Sequence, residues 1–125
     1  ERAGLGAIVH GAIPWGALPF FHHQADAFAM VSLTEGHCKA LAEAMASGLP
    51  CIVSPAVKEG IRPGVNALQT NGYGPSNITM AINAVLGDAC VAVGLSAEAR
   101  RTAVTCWGPG LLTTETKILA GAAKR

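Results

Sequence analysis

Charge is scarce in this sequence. Of 125 residues only 14% are charged and 5% aromatic, against 50% hydrophobic. An average globular domain is about a quarter charged. The formal net charge is +1, with no basic tract and no acidic tail. A nucleic-acid partner is therefore not expected, because a phosphate backbone is met by clustered Lys and Arg. Cysteine pairs are lacking too. Cys38, Cys51, Cys90 and Cys106 are widely spaced and form no C-x-x-C, which argues against a disulfide framework or a zinc site. They read as small buried residues of a reduced, cytoplasmic protein. His22 and His23 stand too far from them in sequence to read as a ligand cluster, although folding could bring them together, and no metal is expected. A long hydrophobic run is also missing. The opening "LGAIVHGAIPWGALPFF" is broken by His10, Pro14 and Pro19 and has no basic leader, so it reads as neither signal peptide nor membrane span.

What is present is apolar content, much of it alanine. With few charges to cover a surface, the chain is expected to bury strands on both faces or to lean on a partner. Its length suits one domain over residues 1–125 with one modest core. It begins at Glu1 rather than Met, and the expectation is a processed or partial chain.

The pattern along the chain alternates. "GAIVHGAI" (6–13) is a short β-rich run ended by Pro14. "WGALPFFHHQAD" (15–26) reads as a short helix with Pro19 near its start. "AFAMVSL" (27–33) is a near-continuous apolar run, as in a buried parallel strand. "GHCKALAEAMASG" (36–48) reads as a helix closed by Gly48, and "LPCIVS" (49–54) as a second buried strand. A short strand is expected at 67–70 within a Gly/Pro/Asn-rich stretch. "SNITMAINAVLGD" (76–88) is an amphipathic helix capped by Ser76, with Ile78, Ile82, Val85 and Leu86 on one face. Residues 96–106 and 111–124 read as further helix candidates. The fold class expected is α/β, a parallel sheet flanked by helices.

Glu35 and Glu43, eight positions apart, carry two readings. In the structural one, Ser32-Leu33-Thr34-Glu35 is a capping box, and Glu43 pairs with Lys39 at i,i+4 on an exposed face. In the functional one, a parallel strand delivers Glu35 to the carboxyl edge of the sheet, where open α/β sheets bind ligands. The next helix offers free amides and a positive dipole end to a diphosphate, and Gly36 removes bulk where it would approach. Eight residues of helical rise would set Glu43 about 12 Å along the axis from Glu35. Carboxylates accept well from sugar hydroxyls. Ala40 and Ser47, small neighbours of Glu43, leave room for a ribose.

"ADAFAMVSLTEGHCKALAEAMASGLPCIVS" resembles the C-terminal, nucleotide-sugar-binding domain of retaining glycosyltransferases of the GT-B fold, the glycosyl transferase group 1 family. The residues that carry the resemblance are Ala25-Asp26, Ser32, Glu35-Gly36, Leu41, Glu43-Ala44-Met45-Ala46, Gly48 and Pro50. Glu59, Gly64, Val65, Asn66 and Leu68 match a downstream segment. The resemblance implies a Rossmann-like parallel sheet and a nucleoside diphosphate sugar, UDP- or GDP-linked, as partner. It places Glu35, Gly36, His37 and Cys38 at the donor sugar and diphosphate, and Glu43 at the ribose. It implies transfer of a hexose-like sugar with retention, no separate cofactor and no metal.

The departures are as informative. His37 and Cys38 stand where the family usually has Phe and Gly, and Ala67 replaces a Gly. By the resemblance, the first two strand–helix units of the donor domain and the N-terminal acceptor domain are expected to have no counterpart in these 125 residues. With them go the Arg and Lys that neutralise the diphosphate, which neither Lys39 nor Lys58 matches. Catalysis by this chain alone is not expected. Any peripheral membrane contact would run through those absent parts. The expected alternatives for the bared sheet are direct pairing of 6–13 with 27–33, a homo-oligomer, or a partner chain. A non-catalytic module used for self-association is the competing functional reading.

Overall fold

The computed structural model describes residues 6–108. After a 3₁₀ turn at Trp15–Ala17 the elements run α1 (Leu18–Gln24), β1 (Phe28–Met30), α2 (Lys39–Ala46), β2 (Cys51–Val53), β3 (Leu68–Gln69), α3 (Pro75–Gly87) and α4 (Ala89–Trp107). The three strands form one parallel sheet in the order β1-β2-β3. Phe28, Ala29 and Met30 pair with Cys51, Ile52 and Val53, and Ile52 and Val53 pair with Leu68 and Gln69. Parallel neighbours need a crossover, which α2 supplies between β1 and β2. The α/β architecture expected from the alternation is the one observed, and it is Rossmann-like, as the resemblance implied.

β2 is the centre of the core because both of its faces are covered. Cys51 and Val53 point to one side, against Leu41, Ala44 and Met45 of α2 and Ala99 and Ala103 of α4. Ile52 points to the other, against Ala81 and Val85 of α3 and Leu95 of α4. This is the strand's two-residue alternation turned into two packed layers. Ala44, Ala99 and Ala103 are small enough for α2 and α4 to meet closely, which is where much of the alanine goes. Met80 and Leu86 lie on the exposed side of α3, so the buried face of that helix is Ala81 and Val85, without Leu86.

Helix ends follow local chemistry. Gly48 takes φ +76°, and its amide bonds Met45 O while that of Leu49 bonds Ala44 O. That is the paired left-handed termination glycine permits. The start of α2 differs from expectation. Ser32 is not a cap, because its backbone is held across the sheet: the Ser54 hydroxyl donates to Ser32 O at 2.7 Å and accepts from Ser32 N at 3.0 Å. Residues 31–38 are loop, and Cys38 is the N-cap, its Sγ accepting from Leu41 N at 3.3 Å. In α3 the cap is Gly74 with Pro75 in the first turn, rather than Ser76. The expected helix over 96–106 is the second half of α4, which starts at Ala89 because Asp88 Oδ1 accepts from Cys90 N and Val91 N. The helix expected over 111–124 lies outside the described residues.

Two strands also differ. The run at 6–13 is not a strand: beyond a single bridge residue at Ala7 it is irregular and mostly exposed. It does not pair with β1, which is confined to Phe28–Met30 and lies at the sheet edge. β1 is thus half-exposed rather than buried on both faces. The β2–β3 connection carries no helix and is held instead by Asn66. Its Oδ1 accepts from Arg62 N at 2.8 Å, and its Nδ2 donates to Gly60 O at 2.8 Å and Thr102 Oγ1 at 3.0 Å.

Candidate functional site

β1 runs out at Met30 into the 31–38 loop, and α2 starts beyond it, so the loop and the first turn of α2 sit at the carboxyl edge of the sheet. Open α/β sheets bind ligands there. Glu35 is in this loop, exposed, and its carboxylate takes no hydrogen bond among the described residues. Gly36 is open on its side-chain face, where an added Cβ would meet nothing within 4 Å. His37 turns away from α2: Nδ1 lies 3.3 Å from Glu59 Oε1, and the ring meets Trp107 edge-on at 5.9 Å. Cys38 is half-buried, its Sγ 2.8 Å from Met30 Sδ, which fixes the thiol as a structural cap of α2. The cap engages the Leu41 amide and leaves those of Lys39 and Ala40 without an acceptor among the described residues. A helix start of this kind favours an anion.

Glu43 lies one turn further along α2. It does not pair with Lys39. Instead its Oε1 accepts from Trp15 Nε1 at 2.8 Å. Because α2 begins at Lys39, only four residues of helical rise separate that start from Glu43, about 6 Å. The 12 Å expected between the two glutamates assumed helix where residues 35–38 are loop. Next to Glu43 is a cavity of about 240 Å³, bordered by Trp15, Leu18, Pro19, His22 and Ser47. Of the two small neighbours expected to leave room beside Glu43, Ser47 lines this cavity and Ala40 does not. The Ser47 hydroxyl donates to Glu43 O at 2.9 Å, and His22 Nδ1 lies 3.1 Å from Ser47 Oγ. Ser47 has a single proton and has given it away, so His22 donates through Nδ1.

Of the residues expected at a site, Glu43 borders this cavity, and beside it stand Trp15 and His22 from the 3₁₀ turn and α1, which were not among those expected. Spacing could not join them to Glu43, since the contact spans 28 positions. Nothing in the local pattern marked either residue. Among the described residues no group of three or more His, Cys, Asp or Glu is arranged to hold a metal, and no single helix is long and apolar enough to cross a membrane.

The family model for glycosyl transferases group 1 matches residues 1–88. The chain belongs to that family. Similar solved structures agree on the fold. The C-terminal domain of a glycosyl transferase group 1 family protein from Francisella tularensis is 19% identical with a TM-score of 0.68, covering 79% of this chain and 51% of that one. The Anabaena protein HepE, solved in complex with UDP-glucose, is 19% identical with a TM-score of 0.71, covering 84% of this chain and 29% of that one. Sucrose-phosphate synthase from Thermosynechococcus elongatus is 21% identical with a TM-score of 0.69, covering 90% of this chain and 30% of that one. This group 1 chain thus spans about half the Francisella domain and under a third of the other two. No curated protein matches the sequence.

Proposed function

We propose that this chain is the nucleotide-sugar-binding part of a retaining glycosyltransferase that moves a hexose-like sugar from a nucleoside diphosphate sugar to an acceptor. The observation that carries the reading is the row along α2: an open loop at Glu35 and Gly36, an uncapped pair of amides at the helix start, then Glu43 beside a cavity. In this reading Glu35 accepts from sugar hydroxyls, while the backbone of Gly36, His37 and Cys38 lines the diphosphate. Glu43 accepts from the ribose. HepE, of the same fold, was solved with UDP-glucose and with UDP and glucose, which supports a donor of this class.

Departure of the diphosphate builds negative charge that an enzyme must stabilise. The α2 dipole contributes a partial charge. Lys39 and Lys58 are exposed and take part in no ion pair among the described residues, and Arg62 is engaged with Glu98. Turnover then requires further cations and an acceptor site from outside the described residues, and the chain by itself binds donor without transferring it.

Calorimetric titration with UDP, GDP and their glucose and mannose conjugates tests this. Saturable binding that Glu43→Gln weakens at least tenfold is the expected result. An undetectable heat with every ligand, or equal binding by wild type and variant, overturns it.

A second reading has one observation in its favour. β1 pairs only with β2, so among the described residues its outer edge is open, and an open edge recruits strands from other chains. A module that self-associates through that edge would sediment as a dimer whose interface is lost on Ala29→Pro. A monomer across the accessible concentration range removes this reading.

A further inference from the structure

We infer that His37 is a positioning residue: it clasps the 31–38 loop to Glu59 and Trp107, and its charge sets how firmly the loop is held for the donor. This rests on the reading in which the loop backbone lines the diphosphate. The loop is secured at both ends. Ser32 is bonded to the Ser54 hydroxyl, and Cys38 caps α2. Residues 33–37 between them are exposed, and 33–36 make no backbone hydrogen bond among the described residues. His37 is where this span meets another part of the fold. Its Nδ1 lies 3.3 Å from Glu59 Oε1, and its ring meets Trp107 edge-on at 5.9 Å.

Both partners are firmly placed. Trp107 is the last residue of α4 and packs against the core. Gly60, next to Glu59, lies so close to the indole that a Cβ there would sit 2.8 Å from Cζ2. Gly60 O in turn accepts from Nδ2 of the buried Asn66 at 2.8 Å. An exposed loop fastened to such a corner has less conformational freedom to lose when a ligand arrives. A loop already held where the ligand needs it binds more tightly.

The clasp depends on charge. Protonated, His37 is the cationic partner of Glu59; neutral, it keeps the ring contact and loses the ion pair. Histidine is the side chain suited to change charge between pH 5 and 8. Glu35, Cys38 and Lys39 flank it along its own stretch of chain, and Lys58 and Glu59 stand on the connection packed against it. From α4 the group that meets it is the uncharged Trp107. Of these, Glu59 is the one that forms an ion pair with it among the described residues. Protonation therefore strengthens the clasp, and donor binding should tighten as pH falls.

A direct contact between His37 and the diphosphate would also tighten binding in acid, and Glu59 separates the two cases. Removing Glu59 breaks the clasp, yet it frees an imidazolium to meet a diphosphate. Calorimetric titration with UDP-glucose at pH 5.5 and pH 8 is the test, since its diphosphate is a diester with no ionisation in that range. The wild type should bind roughly two- to fivefold more tightly at pH 5.5, the scale of one exposed ion pair. Glu59→Gln and His37→Gln should each lose that gain, and the double variant should lose no more. Equal or tighter binding by Glu59→Gln at pH 5.5 overturns the clasp and puts His37 on the ligand. A pH dependence unchanged in His37→Gln overturns it as well. Amide exchange of residues 33–38, corrected for intrinsic rates, reads the clasp without donor. It should be slower in the wild type than in Glu59→Gln at pH 5.5, and equal at pH 8. If that difference is present while UDP-glucose binds at neither pH, the donor-site reading falls and the clasp stands as a loop restraint. Equal exchange at pH 5.5 overturns the clasp whatever the donor does.

Discussion

The indole N–H of Trp15 donates to Glu43 Oε1 at 2.8 Å, across 28 positions of sequence. This bond ties the 3₁₀ turn to α2, and it takes the glutamate that local spacing had assigned to Lys39. A double-mutant cycle separates the two partners. Lys39 with Glu43 should show a coupling near zero. Trp15 with Glu43 should show about 0.5–1 kcal/mol, the range of a modest exposed hydrogen bond to a charge. Urea denaturation of the single and double variants measures both, and a larger Lys39 coupling would restore the surface pair.

Asn66 should be the most costly polar side chain to remove. It is fully buried and bonds Arg62 N, Gly60 O and Thr102 Oγ1, closing the helix-free β2–β3 connection onto α4. Asn66→Ala strands a backbone donor and a carbonyl in a dry setting, at about 1–3 kcal/mol for each group left unsatisfied. The urea midpoint should drop accordingly. Thr102→Val removes one of the three partners and should cost well under half as much.

These contacts mark how far the sequence could be read. The alternation of strand and helix was legible because β2 is buried on both faces, and Cys51-Ile52-Val53 is apolar without interruption. The end of α2 was legible in Gly48, whose left-handed φ no other residue takes as readily. The start of α2 was not, because the Ser32 backbone is claimed by the Ser54 hydroxyl, a partner 22 positions away. The stretch 6–13 has strand composition, yet a strand needs a neighbour, and among the described residues none is offered. The family block gave Glu35 and Glu43 as the candidate pair, and α2 carries Glu43 to its cavity. Trp15 and His22 were invisible to local pattern, since only folding brings the 3₁₀ turn and α1 against α2.

Gly60 and Gly64 should respond differently to the same substitution. Both have positive φ, +71° and +76°, so alanine is strained at each, by about 1–2 kcal/mol. At Gly64 the new Cβ meets nothing within 4 Å, whereas at Gly60 it would sit 2.8 Å from Trp107 Cζ2 and 2.9 Å from Cη2. Gly60→Ala must therefore also move the indole, which packs edge-on against His37. Gly64→Ala should cost only the backbone strain. Gly60→Ala should cost at least about 1 kcal/mol more, with a change in near-ultraviolet circular dichroism that Gly64→Ala lacks. Equal costs and unchanged spectra would show that Trp107 yields freely.

The Cys51 thiol gives the fold an alkaline limit. Burial pushes its pKa up to about 12 from an ordinary value of 9.0, because a thiolate in the core beside Met45 and Val57 loses its hydration. As pH rises past 9, the unfolded chain releases this proton while the folded one keeps it. The unfolded state then binds fewer protons, and stability falls with pH. The slope is about 1.4 kcal/mol per pH unit between roughly 9 and 12. Below pH 9 the thiol is protonated in both states and contributes no pH dependence. Denaturation midpoints measured from pH 8 to 10.5 should show this decline in the wild type. In Cys51→Ala the Cys51 share of the slope should disappear, on a lower plateau set by the small cavity. Thiol labelling gives a second check at pH 8. Cys90 and Cys106 are exposed and Cys51 is buried, so the first two should react with the native protein and Cys51 only after unfolding. Rapid labelling of Cys51 in the native state would mean that the core opens far more often than its packing implies.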